Sequence, residues 1–479
     1  MSNQKKAEGK YRYLFKNVGV YTISQFTTKI LNFFLVPLYT AVLTTGEYGT
    51  YDLMATTISL LIPIVTLNIA DSILVFVMDK KNSPQDVLHI GVKYSLIGML
   101  GSIVFSAAIY FTNILPTIND YLIFFPILLF LNVINSTLVS FMRGIDHIKE
   151  TAIGAVISSA VIILLNILFL LVFKFGLLGY FLANILGLFV QSFYLIMTGR
   201  IWQYISWRGN KSLEAEMRKF SIPMIANSVS WWITSSSDKY FVTWICGLAE
   251  NGIYSVGYKI PSILNSVETI FAQAWAISAI KEYESEDSKA FFSTMYSFYN
   301  LALVISCSFI IVFDKVLAQI LYANDFYTAW KVVPFLSISI IFGGLSGFLG
   351  SFFAATKNTR NYAKSTIIAS TINIILNAVL IPYFGMIGAA VATVICYFSI
   401  WIIRLIDLKK FMTLRFNIKR DFVAYIMLVI QTTIMLMISN NLLLYLAETM
   451  VFIFLNLLFV SEYKKLMKKL AEKSGVVKC

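Results

Sequence analysis

Charge is scarce in this chain: only 13% of its 479 residues are Asp, Glu, Lys or Arg. A soluble domain carries about twice that share, so a water-facing globule is excluded. Cysteine and histidine are scarcer still. Cys246, Cys307, Cys396 and Cys479 show no disulfide or metal-ligand spacing, and His89 and His147 cannot assemble a catalytic cluster. No Walker-type phosphate loop occurs, so ATP bound to this chain cannot drive its work. Neither an enzyme nor a resident cofactor or metal is expected.

The space is filled by apolar residues: 58% are hydrophobic, 15% aromatic, and the mean hydropathy is +0.76. A spanning helix needs about 20 apolar residues, and stretches of that length recur from Val18 to Val460. The expected fold is an all-α polytopic membrane protein. Spans are predicted near 17–43, 51–78, 91–112, 121–142, 151–173, 176–199, 220–246, 252–280, 290–313, 329–355, 362–382, 386–408, 421–440 and 441–460. That makes about fourteen, with the tightest turns at Phe175-Gly176, Phe384-Gly385 and Asn440-Asn441. The first stretch is too long for a cleaved signal and lacks a small-residue cleavage site. Ahead of it, Tyr11, Leu14, Phe15 and Val18 lie at helical spacing among lysines, which suits an amphipathic segment on the membrane surface.

Lys and Arg test the count independently, because they gather in cytoplasmic loops. With a cytoplasmic N-terminus, nearly all of the 38 basic residues fall on the inner side. Lys174, Lys315 and Lys331 are left outside, and Lys29, Lys239 and Lys259 inside spans. One missed helix would invert everything after it, so both termini are expected in the cytoplasm. The net charge of +13 is then an orientation signal that also attracts anionic lipid, with no nucleic-acid partner implied.

The chain also repeats itself. Glu47-Tyr48-Gly49-Thr50-Tyr51 recurs as Glu250-Asn251-Gly252-Ile253-Tyr254. Asn166, Gly176 and Gly179 match Asn377, Gly385 and Gly388, while Lys149 and Ala152 match Arg360 and Ala363. Spans one to six therefore correspond to spans seven to twelve, as parallel repeats related by a pseudo-twofold along the membrane normal. The predicted organisation is an N-terminal segment 1–16, a bundle 17–199, a linker 200–219, a bundle 220–408, two further spans with their basic loop over 409–460, and a basic tail 461–479. Two such bundles imply alternating access around a central site.

Ionisable residues singled out within the predicted spans are Lys29, Asp71, Asp238, Lys239, Lys259 and Glu268. Charge at membrane depth is costly and marks a cavity or pathway, and three cations point to an anionic cargo. Tyr21, Gln25, Lys29, Asn32 and Val36 share a helical face, with Lys29 roughly 20 Å along its helix at 1.5 Å per residue. Trp231, Ser235 and Asp238 share another, with Trp232 and Ser236 beside it. Lys259, Ser262 and Ser266 line a third, from which Glu268 points about 180° away on a continuous helix. Asp71 and Asp238 are candidate coupling acids for a proton or sodium gradient. Arg143 and Arg404 lie at predicted inner helix ends, as anchors or as basic groups at a cavity mouth. Gly343, Gly347 and Gly350 suit close helix packing.

The span count, Leu43-Thr44-Thr45-Gly46-Glu47-Tyr48-Gly49-Thr50-Tyr51, Ser236-Ser237-Asp238-Lys239 and Gly252-Ile253-Tyr254-Ser255 together resemble the polysaccharide-repeat flippases. These are Wzx-type members of the MOP superfamily, which also holds MATE exporters and lipid II flippases. The resemblance covers nearly the whole chain. It implies transfer of undecaprenyl-diphosphate-linked oligosaccharide to the outer leaflet of a bacterial inner membrane, for O-antigen, capsule or related polymers. Partners would be that lipid, the surrounding membrane, and the polymerase and chain-length proteins of the pathway. Lys29, Lys239 and Lys259 would meet the diphosphate, with Gln25, Asn32, Trp231, Ser235, Ser262 and Ser266 as polar and aromatic cavity walls. A lipid II flippase and a MATE-like cation exporter are the alternatives on the same fold. A polymerase or ligase would need a larger outer loop than the longest one expected, around Asp314 to Thr328.

Overall fold

The computed structural model describes residues 26–31, 33–79, 81–113, 116–206, 209–282, 288–355, 359–409 and 417–465. All regular structure among them is helical. Two compact units emerge, Met1–Trp232 and Ile233–Cys479.

Unit 1 begins with helical residues 26–31, followed by α1 (Val36–Val42), α2 (Thr45–Val65), α3 (Ile69–Met78), α4 (Pro84–Thr112), α5 (Phe124–Gly144), α6 (Ile148–Asn166) and α7 (Gly176–Thr198). Its last part is the beginning of α8 (Lys211–Cys246), a single helix that runs through the division after Trp232. The expected linker at 200–219 is thus shortened. Leu213 and Met217 of α8 pack into a core with Ile73, Val87, Phe141 and Leu195, which holds that segment in unit 1.

Unit 2 takes up α8 and continues with α9 (Leu248–Gly257), α10 (Pro261–Glu282), α11 (Ser288–Leu321), α12 (Val333–Ala355), α13 (Thr359–Leu408), α14 (Ile418–Met437) and α15 (Asn441–Leu458). Inside it α12 packs on α10, α11 and α13, and α15 packs on α11 and α14. Among the described residues, ten helices are long and apolar enough to cross a membrane. One of them, α13, is two spans joined at Gly385, whose φ of 55° and ψ of −137° break the helix. Adding α1 with the helical residues ahead of it, α8, and the α9–α10 pair restores the fourteen expected spans.

Three differences have local causes. Span two is broken after Val65, where Leu67 and Asn68 are left-handed at φ 50° and 53° and α3 starts anew. Span eight is broken at Tyr258–Ile260, because Pro261 has no N–H to donate and its ring excludes the preceding carbonyl. The turn at Gly176 is left-handed at φ 55°, as is that at Gly385. Span nine overruns its expected end at 313: α11 continues to Leu321, so Asp314 and Lys315 are helical residues instead of the start of an outer loop.

The internal repeat has a structural counterpart. A Cβ on Gly176 would lie 3.6 Å from Glu47 Oε1, and one on Gly385 would lie 3.8 Å from Glu250 Oε1. In each unit the same glutamate therefore closes over the same turn glycine. Glu47 doubles as the third residue of a capping box: Thr44 N–H donates to its Oε2 at 2.8 Å, and Glu47 N–H donates to Thr44 Oγ1 at 3.2 Å. Glu250 follows Gly247, which has no side chain to cap with.

Candidate functional site

The polar interior of unit 2 is built around Asp238, which is 1% exposed. Helix α8 has no reason of its own to place a carboxylate there, so its neighbours must satisfy it. Tyr254 and Tyr258, one turn apart at the end of α9, donate their hydroxyls to Asp238 Oδ2 at 2.5 and 2.9 Å. Thr393, on the second half of α13, reaches the same oxygen at 3.3 Å. The other oxygen accepts the backbone N–H of Lys239 at 2.9 Å. Hydroxyls and a backbone amide thus hold Asp238, while the Lys239 ammonium stands over the Tyr258 ring, 5.9 Å from its centroid.

One residue away, Ser237 donates to Asn373 Oδ1 at 3.1 Å, and Asn377 Nδ2 donates to the same oxygen at 2.9 Å. Both asparagines are on the first half of α13 and fully buried, and Asn373 Nδ2 and Asn377 Oδ1 have no hydrogen-bond partner. Buried carboxylate, hydroxyl and amide oxygens on adjacent residues of one helix and its neighbours are the kind of donor that suits a proton or a small hard cation. Tyr254, Tyr258, Thr393, Asn373 and Asn377 were not singled out from the sequence as site residues. Their signal was present: Tyr254 with Tyr258, and Asn373 with Asn377, are polar pairs at i, i+4 in otherwise apolar helices.

Lys259 lies in the break between α9 and α10. Its carbonyl accepts the Ser262 hydroxyl at 2.6 Å, and Ser266 bonds back to the Ser262 carbonyl at 2.8 Å. The three do not share one uninterrupted helical face, and the 180° separation from Glu268 does not carry across the break. Glu268 points at α12, its Cγ 3.0 Å from where a Gly344 Cβ would stand. That contact requires a small residue at Gly344.

Arg404 is displaced from its expected surface position. It is 1% exposed, inside unit 2 instead of at a mouth. Its guanidinium donates to Ser365 Oγ at 3.0 Å, the Ser346 carbonyl at 2.8 Å and Thr366 Oγ1 at 3.1 Å, and lies 4.1 Å from the Tyr362 ring centroid. A planar fork on neutral acceptors and an aromatic face is an arrangement that arginine makes and lysine does not. Gly350 leaves room for it, since a Cβ there would come within 2.8 Å of Arg404 Nη1. Beside this contact lies an aromatic cavity of about 210 Å³, walled by Phe271, Trp275, Tyr299, Phe348 and Tyr362. Its floor is Gly344, Gly347 and Gly350.

Ser235 is exposed on α8, within 3.2 Å of the Ser236 hydroxyl, and Trp231 is half-buried. In unit 1, Lys29 is half-buried, and Arg143 is half-buried in the last turn of α5. Asp71 is exposed in the first turn of α3, its carboxylate accepting Asn68 Nδ2 at 2.9 Å just past the left-handed break. Trp232, beside Trp231, donates its indole N–H to the Thr56 carbonyl at 3.0 Å. Gln25 and Asn32 lie outside the described residues.

The family model described as polysaccharide biosynthesis protein matches residues 14–276. The chain is 25% identical over 202 residues to the probable low-salt glycan biosynthesis flippase Agl15 of Haloferax volcanii, covering 40% of this chain and 43% of that one. It is 28% identical over 123 residues to the uncharacterized membrane protein MJ1068 of Methanocaldococcus jannaschii, covering 26% and 24%. The chain thus spans less than half the length of either relative. Among solved structures it superposes on the lipid II flippase MurJ, inward closed, with a TM-score of 0.73 at 16% identity, covering 93% of this chain and 99% of that one. An inward-facing MATE transporter of the MOP superfamily gives 0.66 at 13% identity, covering 81% and 96%.

Proposed function

Because the chain belongs to the polysaccharide biosynthesis protein family, we propose that it is a flippase for undecaprenyl-diphosphate-linked oligosaccharide repeat units, moving them from the cytoplasmic to the outer leaflet of a bacterial inner membrane. Transport proceeds by alternating access and feeds O-antigen, capsule or a related polymer. The observation that carries this reading is the family match over residues 14–276, joined to lysines at predicted membrane depth in a chain with little charge elsewhere.

A diphosphate cannot cross hydrocarbon bare, so its path must offer cations and hydrogen-bond donors while the prenyl tail stays in lipid. Lys29, Lys259 and Lys239 serve as those cations. Lysine suits the task because a mobile point charge binds a head group and releases it again. Asp238, among its hydroxyls and beside two asparagine amides, is the acid through which a proton or sodium gradient is coupled; Asp71 has that role in unit 1.

The test is complementation of bacterial strains lacking defined flippases, scored by surface polymer. Wild type is expected to restore export in a strain lacking a repeat-unit flippase. Lys29→Ala and Lys259→Ala should each lose at least about 90% of it, at normal membrane protein levels. Restoration of a lipid II flippase deletion alone would move the cargo to the peptidoglycan precursor. Full polymer in both lysine variants would remove them from the diphosphate path.

A further inference from the structure

The most costly groups in the molecule lie away from the Asp238 site. Asp314, on the part of α11 that overruns its expected end, is 0% exposed, and Glu448, midway along α15, is 1% exposed. Neither Oδ1 nor Oδ2 of Asp314 has a hydrogen-bond partner, and neither do Oε1 and Oε2 of Glu448. The helices that carry them, α11 and α15, pack against each other. A buried ionised carboxylate without donors is among the least favourable arrangements a protein can hold, and one pair of packed helices carries two of them.

The surroundings supply partial compensation only. Lys315 neighbours both carboxyls, but its ammonium lies over the Trp330 ring, 4.6 Å from the centroid, and it makes no ion pair with either. Gln431 of α14 approaches Glu448, but one Nε2 hydrogen goes to the Ser308 carbonyl at 3.3 Å and its Oε1 accepts the Ser308 hydroxyl at 2.8 Å, which leaves at most one N–H to offer the carboxyl. Tyr445, one turn before Glu448, and Tyr327, in the short 3-10 helix Asn324–Lys331, are the other titratable groups nearby. Helix α12 has no ionisable residue, and the Glu268 carboxyl of α10 faces Tyr299 and Tyr397. Two acids against one lysine leave a deficit of one positive charge.

We propose that Asp314 and Glu448 form a binding site for one exchangeable monovalent cation, a proton or Na+, held between α11 and α15 and separate from Asp238. A proton would bridge the two carboxyls and give each a partner. Na+ would take carboxylate oxygens in place of water. In both cases the occupied site joins the last span to α11, and the empty one drives them apart by like-charge repulsion.

The experiment uses the purified full-length protein in nanodiscs. Infrared difference spectra at neutral pH, with and without Na+, read protonated carboxyls directly, and equilibrium binding of radioactive Na+ reads the metal. A proton site gives a protonated-carboxyl band that is lost in both Asp314→Asn and Glu448→Gln and retained in Asp238→Asn. A Na+ site gives one bound Na+ that the same two variants lose and Asp238→Asn keeps. Carbodiimide labelling of wild-type Glu448, read by mass spectrometry, guards against a variant that does not fold. It proceeds on a protonated carboxyl and is blocked by bound Na+. The proposal is overturned if wild type shows neither a bound Na+ nor a protonated carboxyl at these residues, or if both variants keep the wild-type signal.

Discussion

Gly179 and Gly388 show how much a single hydrogen in place of a methyl group decides. Each follows its turn glycine by three residues and lets a helix start against the backbone it has just left. A Cβ on Gly388 would stand 2.5 Å from the Leu380 carbonyl oxygen and 2.7 Å from its carbon. At Gly179 the nearest atoms are Phe169 Cβ at 2.8 Å and Phe175 Cβ at 3.1 Å. Main-chain atoms cannot rotate away, so Gly388→Ala should destabilise by about 2 kcal/mol or more, and Gly179→Ala by less. Thermal unfolding of the purified variants in detergent checks this; an unchanged midpoint for Gly388→Ala would contradict the geometry. Both glycines were legible as partners in the repeat. Arg404 was misread for the opposite reason: proximity to a helix end says nothing about which way a long side chain turns, and here it turns into Ser346, Ser365 and Thr366.

The spans themselves were readable at the scale of helices because hydropathy is a sum over twenty residues and tolerates local error. Breaks within spans depend on one or two residues and were passed over, although Pro261 carried a signal. The extension of α11 was hidden because Asp314-Lys315 looks like the end of an apolar run. A carboxylate that reads as solvent-facing, here Asp314, can be buried when another helix, here α15, packs over its own. One tie between elements titrates outside the membrane. Lys93 of α4 donates to both oxygens of Glu214, in the first turn of α8, at 2.8 and 2.9 Å, and the Tyr94 hydroxyl adds a third bond at 3.1 Å. The Lys93 hydrogen bond, helped by Tyr94 and opposed by partial burial, holds the Glu214 carboxyl below the usual carboxylate range. A depressed folded-state value means the contribution is complete above the ordinary carboxylate pKa and is lost as pH falls through the lower folded one. Lys93 is well exposed, so the pair is worth at most about 1 kcal/mol. Glu214→Gln should therefore lower the melting temperature at pH 7 and make little difference near pH 3. Equal shifts at both would show that the charge is not what matters.

At the scale of the whole molecule, the distribution of Lys and Arg makes a prediction that no single helix does. Single cysteines introduced in a chain lacking its native ones should react with a membrane-impermeant maleimide from the cytoplasmic side at positions 82 and 146. From the outer side they should react at 113 and 324. Reversal at any one position would remove the even span count and the cytoplasmic placement of both termini. The repeat was legible from collinear matches, but the reason for it was not. Glu47 over Gly176 and Glu250 over Gly385 show that the matched residues are the two sides of one contact, made once in each unit.

Gly385 has a consequence for how the protein is made. Without its left-handed φ, the 50 residues of α13 would form a rod about 75 Å long at 1.5 Å per residue, more than twice the hydrocarbon thickness. No charged residue lies between Lys364 and Arg404, so no charge at the turn fixes it on the far side. The hairpin is therefore held by the backbone turn and by the apolar length of its two arms, with no charged anchor at its apex. A β-branched residue cannot adopt that φ without strain, so a Gly385→Val chain should lose the apex, seen as a reduced yield of folded protein in the membrane at unchanged transcript level.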